Sequence, residues 1–178
     1  MAAYTLQQLS DLEDIRNVKH RYFRGIDTAD MALLETLFTD DVEVDYRGGT
    51  YRVRVTGRAD MLEFLANSFH SGAVAMHHGH MPEITLSGED TAAGIWYLED
   101  IFINLESRSH TIGSAIYRDQ YRREGGQWRI SRTEYDRIFE MIRPLAADAR
   151  ITSHHLATSG RKPGERTDIG HLIAWEPA

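Results

Sequence analysis

The stretch GIWYLEDIFIN, residues 94–104, settles the fold class. Its residues alternate, so Trp96, Leu98, Asp100 and Phe102 share one face of a strand while Ile95, Tyr97, Glu99 and Ile101 share the other. The pattern extends over about 92–105, and similar segments lie at about 74–87, 110–123 and 127–139. Between them stand turn-forming stretches: Ser87-Gly88-Glu89-Asp90, Glu106-Ser107-Arg108-Ser109 and Glu124-Gly125-Gly126-Gln127. Strands this long and this close in sequence predict a strongly curved antiparallel sheet. Pro82 cannot donate to a ladder, so it marks an edge or a bulge in its strand.

Upstream the period changes. Leu6, Leu9, Leu12, Ile15, Val18, Tyr22 and Ile26 recur every three or four residues, which predicts one amphipathic helix with Thr5 as N-cap. Thr28-Ala29-Asp30 breaks it before a second helix, MALLETLF. Val42, Val44 and Tyr46, then Gly48-Gly49, then Tyr51, Val53 and Val55 read as a hairpin. A third helix is expected from about Arg58 to Phe69, burying Met61, Leu62, Leu65 and Phe69. Three helices followed by a strand meander make an α+β fold. Residues 1–143 form the expected domain, and 144–178 a C-terminal tail in which Ile169, Leu172, Ile173 and Trp175 suit a lid or a subunit-interface arm.

Composition narrows the function. The chain has 178 residues, 42% of them hydrophobic, and 20 basic against 27 acidic residues give a net charge of −7. That argues against a nucleic-acid or anionic-membrane partner. There are no cysteines, which excludes thiolate metal sites and a cysteine nucleophile. No apolar run approaches the ~20 residues of a membrane helix, and MAAYTLQQLSDLEDIRN lacks the apolar run of a secretory signal. The expected location is the cytoplasm.

Three of the nine histidines, His77, His78 and His80, fall in MHHGHMPEITL at 76–86. Imidazole titrates near neutral pH, so the cluster points to proton transfer or metal binding. In a regular strand His78 and His80 share a face and His77 takes the other, so three ligands converge only through a bulge. Neither an HExxH motif nor a helical i, i+4 histidine pair accompanies them. One histidine oriented by one carboxylate is the more economical reading, and no metal site is expected.

Candidate partners lie at the ends of other elements. RYFRGID at 21–27 carries Tyr22, also readable as a core tyrosine, and Asp27, which spacing alone reads first as a turn or capping residue. Five residues along a regular helix is about 140° of rotation, so these two share a pocket only if the helix ends before Asp27. Both faces of the 94–104 strand are mostly apolar, so Glu99 or Asp100 should sit in apolar surroundings, where carboxylates are enriched in function. RTEYDRIFEMI at 132–142 supplies Arg132 and Arg137, either of which could pair a carboxylate, steady an oxyanion or form a surface salt bridge.

At these residues the chain resembles the SnoaL-like branch of the nuclear-transport-factor-2-like superfamily. The resemblance spans about Leu12 to Ile142 and rests on YFRGID, LLETLF, MHHGHMPEITL, TAAGIWYLED, GGQW and YDRIFE, in that order. It is greatest toward the bacterial bile-acid 7α-dehydratases, and extends more distantly to scytalone dehydratases and lindane dehydrochlorinases. It implies a cone-shaped α+β barrel of the cystatin-like kind, a curved antiparallel sheet wrapped by three N-terminal helices. The catalytic set it implies is Tyr22, Asp27, His77, Asp100 and Arg137, with Tyr46, His78, Trp96 and Phe102 expected to bind substrate. There are departures. The second active-site histidine of scytalone dehydratases has no equivalent and falls near Phe102, His78 replaces a methionine of the bile-acid enzymes, and the tail differs from theirs.

The activity implied is a cofactor-independent dehydratase-type elimination from a small hydrophobic substrate, cyclic and of steroid or polyketide kind. Alternatives on the same fold are an isomerase, a polyketide cyclase, or a non-catalytic member such as a dioxygenase small subunit or a ligand binder. The resemblance also implies a homo-oligomer, a trimer in preference to a dimer.

Overall fold

Helix α1, Leu6–Thr28, starts on a capping box: the Thr5 hydroxyl accepts from the Gln8 N–H, and the Gln8 side chain accepts from the Thr5 N–H. It stops at Ala29, which takes a left-handed conformation (φ 51°) and donates to the Gly25 and Ile26 carbonyls. The computed structural model describes residues 4–175. A one-turn helix α2, Met31–Glu35, follows with Asp30 as its cap. Next come strands β1, Phe38–Arg47, and β2, Tyr51–Thr56, and helix α3, Arg58–Ser68.

The meander then runs through β3, Ala73–Leu86, β4, Thr91–Asn104, β5, Ser109–Glu124, and β6, Gln127–Pro144. A short helix α4, Leu156–Ser159, and a last strand β7, Ile173–Trp175, complete the described chain. The strands form one sheet in the order β3-β4-β5-β6-β1-β2-β7.

Helices followed by a curved sheet make the α+β fold expected, and two details of the sheet differ. The sheet is not purely antiparallel, because β1 runs parallel to β6, Val44 opposite Thr133 and Tyr46 opposite Tyr135. Hairpin turns dictate the direction of sequence neighbours only, and these two strands are remote in the chain. Nor does the sheet close into a barrel: β3 and β7 are its two edges. Curvature comes from register shifts at His80/Glu83, Ser114/Ala115, Gln120/Tyr121 and Phe38/Glu43. The first contains Pro82 beside Met81 at φ 46°, on an edge strand where no ladder bond is lost.

The apolar stripe of α1 packs into the concave face, burying Ile15, Val18, Tyr22, Phe23 and Ile26. Phe23 lies against Gly79 of β3 so closely that any β-carbon there would overlap its ring. Beneath this contact an ion pair is wholly buried, Lys19 Nζ to Asp119 Oδ2 at 2.8 Å, with the ammonium 3.5 Å from the centre of the Tyr117 ring. Burial pulls the Lys19 ammonium below its ordinary pKa, against the pull of Asp119.

The tail folds back onto the domain. Arg161 makes a two-pronged pair with Glu63 of α3 at 2.7 and 2.8 Å, and Arg166 reaches Glu106 at 2.8 Å. The Thr167 N–H donates to Asn67 Oδ1, and β7 pairs antiparallel with β2. No helix among the described residues is long and apolar enough to cross a membrane.

Candidate active site

The concave face, α1, α3 and the tail line a partly open cavity of about 520 Å³. That is within the range of pockets that hold a small organic ligand. One row of residues crosses the sheet along its wall. His77 on β3 stands opposite Asp100 on β4, Asp100 opposite Gly113 on β5, and Gly113 opposite Glu140 on β6.

His77 is held from behind. Its Nδ1 lies 2.6 Å from Asp27 Oδ1, and its backbone N–H donates to Asp27 Oδ2 at 3.0 Å. A carboxylate can only accept, so the short contact fixes the proton on Nδ1 and leaves the Nε2 lone pair free. Phe23 stacks on the imidazole and Phe69 meets it edge-on, at 6.2 and 5.4 Å between centroids. Among the described residues Nε2 makes no hydrogen bond, and the side chain lines the cavity at 9% exposure.

Helix α1 does not end before Asp27 but runs on to Thr28. Tyr22 and Asp27 therefore point in different directions, as their 140° separation requires. Only Tyr22 of the two lines the cavity, while Asp27 grips the base on the side away from it. The two residues meet at one site because His77 spans the distance between them.

Further along the same row Arg137 clasps Asp100 with both Nη atoms, Nη1 to Oδ1 and Nη2 to Oδ2, the latter at 3.0 Å. Its Nε lies 3.0 Å from Glu140 Oε2. Burial disfavours the Arg137 charge, but the bonds and charge of Asp100 together with Tyr135 and Tyr51 outweigh it and hold its pKa above the ordinary value. The guanidinium occupies the space Gly113 leaves open: a β-carbon there would lie 2.5 Å from Arg137 Nη1.

The remaining wall is tyrosine. The Tyr22 and Tyr46 hydroxyls are 2.9 Å apart, and Tyr46 stacks on Tyr135 at 4.5 Å. Tyr117 meets the Tyr135 ring edge-on, and the Tyr51 hydroxyl bonds that of Tyr135. Burial pushes the phenols of Tyr22, Tyr46, Tyr117 and Tyr135 well above their ordinary pKa. At neutral pH they keep their protons and can donate hydrogen bonds.

Of the residues singled out in the sequence, His77, Tyr22, Asp100, Arg137, Tyr46 and Phe102 line the cavity, with Asp27 behind His77. Two do not. Trp96 is fully buried in the core, where its indole N–H donates to the Tyr121 hydroxyl, itself bonded to Asp119. His78 points to the outer face, 3.9 Å from Glu99, because strand alternation turns it away from its neighbour. Arg132 makes surface pairs with Glu43 and Glu134.

Tyr51, Tyr117, Tyr135 and Glu140 were not foreseen. Tyr117 and Tyr135 share their strand faces with buried neighbours, but alternation alone cannot separate a cavity wall from a packed core. Glu140 lies three residues beyond Arg137, yet in an irregular strand that spacing carries no signal.

A family model for the SnoaL-like domain matches residues 7–134. Among solved structures, a type 2 hexachlorocyclohexane dehydrochlorinase superposes with a TM-score of 0.70 at 20% identity, covering 82% of this chain and 96% of its own. A scytalone dehydratase-like protein from Novosphingobium aromaticivorans gives 0.66 at 22%, covering 83% and 93%. An NTF2-like protein with a cystatin-like fold from the same organism gives 0.61 at 23%, covering 75% and 85%. At these identities the likeness is one of fold.

Proposed function

The chain belongs to the SnoaL-like domain family, and on that premise we propose that it is a lyase that eliminates water from a small, hydrophobic, cyclic substrate without a cofactor. One observation carries the reading: His77 presents a free Nε2 to a mostly apolar cavity while Asp27 holds its Nδ1 at 2.6 Å. A base so oriented suits removal of a proton from carbon next to a carbonyl or conjugated system. The dehydrochlorinase and scytalone dehydratase-like folds are compatible with elimination chemistry, and the earlier resemblance to bile-acid 7α-dehydratases points the same way.

In the proposed reaction His77 Nε2 takes the C–H proton, and Asp27 stabilises the imidazolium that forms. The electrons move onto the substrate oxygen, where the Tyr22–Tyr46 hydroxyl pair donates a hydrogen bond. The C–O bond then breaks as the C=C bond forms. Asp100, occupied by both Arg137 nitrogens, orients the leaving hydroxyl rather than protonating it. Because His77 and Asp100 are cross-strand partners, the imidazolium lies close enough to return its proton to the departing oxygen, which leaves as water. The described part of the 144–178 tail serves as a lid, with Ile169, Ile173 and Trp175 excluding solvent. Ile138, Phe139 and Met141, half-exposed near the end of β6, would be covered in a homotrimer.

The test is a screen of hydroxylated 3-oxo steroids and polyketide-like cyclic ketones for new conjugated absorbance, with mass analysis of the product. Loss of water supports elimination, whereas an unchanged mass assigns the same base to isomerisation. His77→Ala should abolish turnover. Undiminished activity in that variant would remove His77 from the mechanism.

A further inference from the structure

The side of β3 facing away from the cavity carries a second constellation. His78 and His80 are two residues apart on the strand and share its outer face, their rings 5.9 Å apart. Glu99 of β4 is the cross-strand partner of His78, and its Oε2 lies 3.9 Å from His78 Nδ1 and 3.6 Å from His80 Nε2. One donor atom from each residue lies within 4.8 Å of the other two.

We propose that His78, His80 and Glu99 form a binding site for a divalent transition-metal ion, Zn²⁺ or the similar Ni²⁺ and Cu²⁺. Two imidazoles and one carboxylate make a borderline-soft donor set that suits these ions better than Mg²⁺ or Ca²⁺. An ion with bonds of about 2.0–2.2 Å holds tetrahedral donors about 3.4 Å apart. The three donors need only close by about an ångström, and side chains 46–61% exposed are free to do so. Water would complete the coordination. Strand alternation denies a site to all three histidines together unless a bulge intervenes; two of them with a carboxylate from the next strand require none.

The ion would fasten the edge strand β3 to β4 one register position from His77 and Asp100. It touches neither the cavity nor the proposed catalytic residues, so the inference stands apart from the lyase reading.

The experiment is a calorimetric titration of untagged, EDTA-treated protein with Zn²⁺. One ion per chain is expected, with affinity reduced at least about tenfold by His78→Ala, by His80→Ala or by Glu99→Gln. His155→Ala, an exposed histidine away from the cluster, should leave binding unchanged. Zn²⁺ should raise the melting temperature of the wild type but not of the His78→Ala/His80→Ala double variant. All four positions are exposed, so circular dichroism should report native folds. Absence of saturable binding, or equal binding by the double variant, overturns the proposal.

Discussion

Asp27 holds His77 at two points, Oδ1 on the imidazole Nδ1 and Oδ2 on the backbone N–H of the same residue. The second bond satisfies a donor on an open sheet edge, and the first selects a tautomer. One carboxylate at the end of α1 thus places both the strand and the ring. Asp27→Asn should preserve the fold, since an amide oxygen can still accept one bond. It also lets the ring adopt the wrong tautomer, so kcat should fall about 10²–10⁴-fold. Steady-state kinetics with a thermal melt checks this; a parallel loss of stability would mean that Asp27 is chiefly a structural anchor.

Arg137 pairs with two buried acids, Asp100 and Glu140, whose side chains are 3% and 8% exposed. Arg137→Met leaves both without it, and removal of one partner from a buried pair costs about 3–5 kcal/mol. Urea denaturation should show a midpoint shift of that order. Arg137→Lys, which keeps the charge but not the fork, should recover part of the stability and little of the activity.

Gly113→Ala is the smallest change that should disturb the Arg137–Asp100 pair. The new methyl would lie 2.5 Å from Arg137 Nη1, and the guanidinium must shift to make room. Overpacking of this kind costs about 1–3 kcal/mol. Turnover should fall more than stability, as comparison of kcat with the melting temperature would reveal.

Acid should release the tail. Bonds from Arg161 and then Thr167 lower the Glu63 pKa from 4.5 to about 2. A depressed folded-state pKa contributes stability above the unfolded value, and that contribution is lost as pH falls from about 4.5 toward 2. Limited proteolysis between those values should cut the tail before the domain. Glu63→Gln should show the same susceptibility at neutral pH; a tail equally resistant in that variant would place its anchorage elsewhere.

Much of the fold was legible because periodicity reports burial directly. The stripe from Leu12 to Ile26 predicted α1, and alternation along β4 put Glu99 and Asp100 on opposite faces without deciding which of the two turns inward. What stayed hidden depends on partners distant in the chain. The parallel pairing of β1 with β6 and the docking of β7 on β2 leave no local mark. The same holds for Trp96, which shares its strand face with Asp100. Whether an inward residue meets a cavity or a neighbour depends on what fills the other side, here Tyr121. His77 and Asp27 could be paired by resemblance, but not the way they meet: the helix continues past Asp27, and the strand comes to it.

The alternation through His77, His78 and His80 makes the segment sensitive to parity. Inserting or deleting one residue just before His77 would exchange the two sides of β3, turning the base outward and a metal-binding imidazole into the cavity. A change of two residues would restore the order, and the irregularity at Met81-Pro82 lies beyond the histidines, too late to correct an odd shift. Length variation within β3 ahead of His77, from Ala73 onward, should therefore be tolerated in even steps and lethal to function in odd ones.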